Sequence, residues 1–195
     1  LAVLRASDKA KQIESSASSS LYLEAFSLCD DAMRSVRKDK TKIKENSVLK
    51  TDRAIEEFSK LSQYIKELKL NLQVKHKLML VDDMIRRFEG QNRRQSIYDA
   101  SAPESTQAQQ QQQEKVKRRV KASDLVRMYD TLIDHVRELR DIARNASNVE
   151  GEMETTAETI LRLNRCFYIA KSFEAHEKWA EAFALYVVRS NVLCV

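Results

Sequence analysis

The sequence has very little glycine or proline, with two Gly and one Pro among 195 residues. Tight turns between paired β-strands usually need glycine, so this shortage argues against a protein built from hairpins. The apolar residues instead recur every three or four positions, which is the spacing of one helix face. We therefore predict an all-α protein, and the length suits a single domain with a sizeable core.

Long hydrophobic runs are also missing. The longest obvious one is FALYVV, from Phe183 to Val188, and a membrane-spanning helix needs roughly 18 apolar residues. Charged residues interrupt the start, which does not resemble a signal peptide. We predict a soluble chain without membrane insertion. Because it opens at Leu1 and its last apolar helix runs to Val195, we also expect a segment of a longer protein.

Cysteine is scarce and scattered. Cys29, Cys166 and Cys194 form no CxxC pair and no Cys/His pair at metal-ligand spacing. Such an odd, dispersed set is typical of small apolar side chains in a reducing compartment, and not of a disulfide framework or a zinc site. The cysteines therefore indicate the cytosol or the nucleus.

Catalytic patterns are missing as well, since the sequence contains no HExxH, GxSxG or P-loop motif. His76, His135 and His176 are far apart, and each is interpreted as a surface or helix-end residue. Two pairs of adjacent aspartates point about 100° apart on a helix, so neither pair can act as acid and base at one site. We predict no enzyme activity, no catalytic residue, no metal site and no cofactor.

Five helices follow from the apolar spacing. The predicted helices cover residues 8–38, 51–88 and 123–145, then a helix marked by Ile160, Leu163, Phe167, Ala170 and Phe173, and a last helix that starts at Trp179 after a turn at 176–178. The second helix has apolar residues on two faces, which favours an α-solenoid-like array of long antiparallel helices. Residues 90–122 hold one glycine, the only proline and few apolar residues, so we expect a flexible loop that interrupts a single helical segment over 1–195.

The net charge of +5 is concentrated in the middle of the chain. Residues 86–121 contain nine Lys or Arg and four Asp or Glu, so this stretch holds the whole excess. Its densest part, here called the basic run, consists of Lys115, Lys117, Arg118, Arg119 and Lys121. Clustered cations beside a flexible tract are typical of contact with RNA phosphate, but they also keep loops solvated. From the residues alone, RNA contact and a solvated spacer stand as equal alternatives.

The last two helices carry the most specific local pattern. It consists of Ile169, Ala170, Phe173, Trp179, Ala182 and Tyr186 within IAKSFEAHEKWAEAFALY. Small residues let two helices approach closely and aromatic ones fill the angle between them, so the pattern is similar to the tetratricopeptide helix pair. It departs from that pattern at Cys166, Glu177 and Arg189, where an aromatic residue, a glycine and an alanine are usual. An ordinary helical hairpin is the alternative, and we expect Trp179 to be buried.

Two longer stretches resemble a known family. SDLVRMYDTLIDHVREL, which opens at Ser123, and RCFYIAKSFEAHEKWAEAFALY are similar to the middle region of the 68-kDa subunit of the signal recognition particle. The likeness is close between Ser123 and Tyr186, looser over the first two helices and negligible in the glutamine-rich stretch.

The resemblance implies a non-enzymatic α-solenoid of tetratricopeptide-like helix pairs. That family binds the particle's RNA and pairs with the 72-kDa subunit, in the ribonucleoprotein that delivers ribosomes making secretory proteins to the endoplasmic reticulum. Its principal RNA-binding domain lies N-terminal to the region matched here, and the segment that docks on the 72-kDa subunit lies C-terminal to it. We therefore expect a cytoplasmic scaffold segment, with a nuclear or nucleolar assembly stage, whose partners bind mainly outside it. A peptide-binding adaptor of the tetratricopeptide type is the alternative.

Overall fold

A computed structural model describes residues 5–6, 19–45, 51–100, 119–147 and 156–193. Its helices are α1 (Ser19–Glu45), α2 (Thr51–Ala100), α3 (Ala122–Ser147), α4 (Thr156–Glu174) and α5 (Trp179–Leu193). No strand occurs within those ranges. The all-α prediction is thereby confirmed for the described residues, and the solenoid arrangement stays a prediction.

Helix α1 buries one stripe of residues at helical spacing. The buried residues are Tyr22, Ala25, Cys29, Ala32 and Val36, all at most 5% exposed. The predicted end at residue 38 is wrong, because the helix continues to Glu45. No glycine or proline interrupts the added turns, and the Thr41 hydroxyl donates to the carbonyl of Lys38 at 2.8 Å. The predicted residues 8–18 lie outside the described part of the chain.

Helix α2 runs further than the sequence predicted. We expected an end at residue 88 and a loop from residue 90, but residues 90–100 are helical. A Cβ at Gly90 would meet no atom within 4 Å, and a helical glycine costs only about 1 kcal/mol relative to alanine. Polar side chains alone do not end a helix, because each added residue completes one more backbone hydrogen bond. The predicted loop at residues 101–118 lies outside the described residues.

The chain divides into two compact units. Unit 1 is Leu1–Lys77 with Asp134–Met153, and unit 2 is Leu78–Ile133 with Glu154–Val195. Helices α2 and α3 therefore contribute residues to both units. A single scaffold segment over 1–195 stays a prediction.

In unit 1, α1 and α2 are antiparallel, because residues later in α1 contact residues earlier in α2. Ser19 Oγ lies 3.0 Å from His76 Nε2, Met33 Sδ lies 3.6 Å from Ser62 Oγ, and Lys40 Nζ lies 2.8 Å from Ser59 Oγ. Helix α3 is antiparallel to α2 in the same way, with contacts between Lys66 and Glu138 at 2.9 Å and between Gln63 and the Ile142 carbonyl at 3.2 Å. Ile65 of α2 is completely buried in this unit.

In unit 2, four rings from α2, α3 and α4 form an aromatic cluster, which consists of Phe88, Tyr129, Phe167 and Tyr168. Tyr168 is its centre: it stacks on Tyr129 at 5.8 Å between ring centres, and the rings of Phe88 and Phe167 lie edge-on to it at 5.9 and 5.1 Å. Burial, followed by the neighbouring Tyr129 and Glu89, raises the pKa of Tyr168 to about 12. Its hydroxyl is therefore neutral at any physiological pH.

In α4, part of the predicted apolar face is not buried, and the residues buried there are the next ones along the chain. Leu163 and Ala170 are buried as expected, but Ile160 is 50% exposed. Leu161 and Tyr168 take the buried positions beside them. These two are seven residues apart, which is two helical turns, so they lie on the same face.

Candidate functional site

The hairpin formed by α4 and α5 is held together by small residues and one polar network. Ala170 is fully buried and Ala182 is 2% exposed. The Tyr186 hydroxyl donates to Glu174 Oε1 at 2.8 Å, and Lys171 Nζ donates to Glu174 Oε2 at 2.8 Å. Tyr186 also packs its ring against Phe167 at 5.8 Å between centres. The hairpin was predicted from these small and aromatic positions.

The prediction that Trp179 is buried is wrong. Its side chain is 64% exposed, and Phe183 one turn later is 69% exposed. Ile169 and Phe173 are half-buried. Trp179 does start α5, as predicted, but most of its side chain stays outside the contact between α4 and α5. Closure of the hairpin therefore does not depend on this tryptophan.

The turn between α4 and α5 explains why the tetratricopeptide pattern usually has glycine at the position of Glu177. The Lys178 N–H donates to the Phe173 carbonyl and the Glu177 N–H donates to the Glu174 carbonyl, both at 3.0 Å. This pair of bonds is the Schellman motif, which requires a left-handed residue at its penultimate position. Glu177 occupies that position with φ of 59°. A side chain at such φ is strained, and glycine is not.

We predict that Glu177→Gly stabilises the protein by about 1 kcal/mol, because glycine relieves the left-handed strain. Urea unfolding followed by far-UV circular dichroism measures the change. Glu181→Gly is the matched control, since Glu181 lies inside α5 and glycine should destabilise it by about 1 kcal/mol. A loss of stability in Glu177→Gly would contradict the turn geometry.

The basic run is only partly within the described residues. Lys115, Lys117 and Arg118 lie outside them, whereas Arg119 and Lys121 are described and exposed. The Lys121 N–H donates to Asp124 Oδ2 at 3.0 Å, and the Asp124 N–H donates back to the Lys121 carbonyl at 3.0 Å. This reciprocal cap fixes the end of the basic run to the first turn of α3. The negative carboxylate of Asp124 also interacts favourably with the positive end of the helix dipole, whereas the cations before the helix interact with it unfavourably.

A groove of about 510 Å³ lies among α1, α2 and α3 within unit 1. The charged residues that line it are Asp30, Arg34, Arg37, Lys66, Lys69 and Glu138. Both carboxylates pair inside it, Asp30 with Lys69 and Glu138 with Lys66. The lining thus has an excess of positive charge, which suits an anion such as phosphate. The groove is not predictable from the sequence, because its cations come from two helices about 30 residues apart in the chain.

A second cavity, of about 330 Å³, lies beside the aromatic cluster in unit 2. Phe88, Phe167 and Tyr168 line it together with polar residues. The face of Phe167 is covered by the guanidinium of Arg189, 4.3 Å from the ring centre. Stacking of a nucleic-acid base needs a free ring face, so a base cannot stack on this face of Phe167.

The histidines occupy three different environments. His176 is exposed in the α4–α5 turn, as predicted, with Nδ1 2.7 Å from the Ser172 carbonyl oxygen. His76 is not at a helix end: it is half-buried and stacks on Tyr22 at 4.9 Å between ring centres. His135 is also half-buried. Burial lowers the pKa of both His76 and His135, and Lys77 lowers each further.

We predict that the protein loses stability as the pH falls below about 6.5, the ordinary histidine pKa. In the folded state His76 and His135 resist protonation, so the unfolded chain takes up protons first and is favoured. The melting temperature at about pH 5.5 and at about pH 7.5 measures this dependence. The double variant His76→Gln, His135→Gln should show a smaller difference than the native protein, and His176→Gln should show the native difference. Equal pH dependence in all three proteins would contradict the prediction.

Two of the three cysteines lie within the described residues. Cys29 is completely buried, and burial raises the pKa of its thiol. Cys166 is half-buried, and Cys194 lies outside the described residues. In the described part of the chain, no group of three or more His, Cys, Asp and Glu side chains is arranged to hold a metal ion. None of the described helices combines the length and apolar character needed to cross a membrane.

Comparison with known proteins identifies the family of this helical chain. The family described as RNA-binding signal recognition particle 68 matches residues 2–193. The chain belongs to this family. It is 27% identical to signal recognition particle subunit SRP68 of Drosophila melanogaster over 165 residues, which are 84% of this chain and 25% of the fly protein. It is 36% identical to the Caenorhabditis elegans subunit of the same name over 74 residues, 37% of this chain and 12% of that protein.

Family membership confirms the predicted relationship to the 68-kDa signal recognition particle subunit. The chain spans about a quarter of the length of the fly relative. No solved structure matches the chain. The family is described as that of an RNA-binding particle subunit.

Proposed function

We propose that this segment is the scaffold part of a signal recognition particle subunit that binds the particle RNA and pairs with the 72-kDa subunit. In that role it supports the co-translational targeting of secretory proteins to the endoplasmic reticulum. The observation that carries the proposal is the family match over nearly the whole chain. Long antiparallel helices, α2 alone having 50 residues, suit a part that holds binding regions apart.

The scaffold acts through its geometry and carries no catalytic group of its own. It works in the cytoplasm, with a nuclear or nucleolar stage during particle assembly. The 72-kDa subunit and most of the RNA bind outside residues 1–195, as the family resemblance implies.

Within this segment, the basic run contacts RNA phosphate. Arg119 and Lys121 are exposed, and the cap at Asp124 ties them to a rigid helix. The stretch from residue 86 to 121 holds the whole positive excess of the chain. Exposed cations gathered at one place release counterions from RNA when they bind it. The RNA-binding description of the family adds weight to phosphate contact over a mere spacer.

Reconstitution tests the subunit role. The full-length protein is mixed with signal recognition particle RNA and the 72-kDa subunit, and the products are separated by size-exclusion chromatography. We expect one peak that contains all three components. An RNA of equal length and unrelated sequence serves as the control and should dissociate at lower salt than the particle RNA. Failure of the protein to co-elute with either partner would contradict the proposal.

The second candidate function is a peptide-binding adaptor of the tetratricopeptide type. It is favoured by the exposed aromatic side chains of Trp179 and Phe183, since peptide-binding surfaces commonly use such anchors. Titration of the full-length protein with short apolar and acidic peptides separates the two functions. An adaptor binds at least one of them with measurable affinity, whereas a scaffold binds none.

A further inference from the structure

Helix α5 carries a strip of large apolar side chains that are exposed to solvent. The strip consists of Trp179, Phe183 and Val187, which are 64%, 69% and 40% exposed. Because they are four residues apart, they lie one above another on the helix surface. We call them the α5 strip.

The adjacent face of α5 already has its partner. Ala182 is buried against α4, and Tyr186 reaches Glu174 and Phe167 of that helix. Only Glu181 and Arg189 are charged among the 15 residues of α5. A helix that is apolar on nearly all sides is typical of one with neighbours on two sides. A contiguous exposed apolar patch of a few hundred Å² is often functional.

The size of the strip decides what kind of partner fits. Fully buried aromatic side chains contribute about 150–250 Å² each, so the exposed parts of three residues offer on the order of 300–400 Å². A stable interface between separate molecules buries about 800 Å² on each side. The strip alone is too small for a second copy or an untethered protein. A segment of the same polypeptide needs less, because its tether supplies a high effective concentration.

We propose that in the full-length protein the α5 strip is covered by an amphipathic helix of the same polypeptide that follows residue 195. The fly relative is about four times as long as the segment that aligns with this chain, so proteins of this family have ample length for such a helix. Consecutive elements are usually adjacent in space, and α5 is the last described helix. Stacked helix pairs also bury the outer face of one pair under the next. The covering helix carries apolar residues three and four positions apart.

Photo-crosslinking in the full-length protein tests the inference. Phe183 is replaced by the photoreactive amino acid p-benzoylphenylalanine, the protein is irradiated, and linked peptides are identified by mass spectrometry. The same replacement at Val187 is a second probe of the strip. Val188, 51% exposed but on a different side of α5, is the matched control position. Light scattering before irradiation gives the mass of the molecule in solution.

We expect positions 183 and 187 to link to peptides that follow residue 195, within a monomer and at a several-fold higher yield than position 188. Equal yields at the three positions, links to peptides before residue 179, links between two copies, or links that form only with the 72-kDa subunit would each overturn the inference. It rests on family membership and not on RNA contact. Failure here would therefore leave reconstitution with RNA unchanged.

Discussion

Tyr168→Ala is expected to lower the free energy of unfolding by about 3–5 kcal/mol, the range for removing a buried aromatic side chain. Tyr168 is 6% exposed and contacts the rings of Phe88, Tyr129 and Phe167. Its loss leaves a cavity at the point where α2, α3 and α4 meet within unit 2. Urea unfolding followed by far-UV circular dichroism gives the change directly.

Trp179→Ala is the control for this variant, because it also removes a large aromatic side chain. Trp179 is 64% exposed, so in the 195-residue chain its replacement should change stability by less than about 1 kcal/mol. Equal losses in the two variants would show that the aromatic cluster is not the core of unit 2.

Ile65→Ala is expected to cost about 2–5 kcal/mol in unit 1. Ile65 is completely buried on α2, and alanine removes most of its side chain without allowing the long helices around it to close the gap. Leu23→Ala is the control, since Leu23 of α1 in the same unit is 61% exposed and should contribute within about 0.5 kcal/mol. The urea midpoint of each variant measures the difference. A cost for Ile65→Ala no larger than that of Leu23→Ala would contradict the described packing.

The sequence predicted helices best where apolar spacing and a local terminating signal agree. Trp179 begins α5 as expected, and α3 covers Ala122–Ser147 against a prediction of 123–145. The apolar spacing did not predict that residues 90–100 are helical. This polar, glycine-containing stretch has no apolar face, and yet it continues a helix that has already formed. The spacing also failed at the end of α1, where seven further residues remain helical.

The buried side of a helix with two apolar faces could not be chosen from the sequence. In α4, Ile160 and Leu161 are both apolar and adjacent, and tertiary packing buries the second. In α5, Trp179 and Ala182 both lie at hairpin positions, but only Ala182 is small enough for close approach. Large aromatic residues were taken as core for their size, whereas the geometry of close helices selects small ones. The sequence shows Glu177 where the tetratricopeptide pattern usually has glycine. The left-handed backbone at this residue is the reason that glycine is usual there.

The sequence was sufficient to find the basic run, but it was not sufficient to find the groove of unit 1. Neighbouring cations in the chain are necessarily close in space, so the basic run could be found by counting. Arg37 and Lys69 line one groove only because α1 and α2 are antiparallel, and that pairing depends on tertiary contacts. A helix start was predicted at Ser123, just after the basic run, and the cap with Asp124 gives Lys121 a fixed position before that helix.

The central functional claim is that the basic run contacts RNA phosphate. The direct test replaces Lys115, Lys117, Arg118, Arg119 and Lys121 by glutamine in the full-length protein and titrates signal recognition particle RNA between about 50 and 300 mM salt. The control variant replaces five exposed cations of α1 and α2 by glutamine, at Lys38, Lys42, Arg53, Lys60 and Lys75, which gives the same change in net charge.

The proposal predicts that the plot of log affinity against log salt becomes shallower for the basic-run variant, by about 0.7–0.9 for each phosphate that the protein no longer neutralises. The control variant should keep the native slope. If the two variants show the same slope as the native protein, the basic run is a solvated spacer and the claim of phosphate contact is wrong.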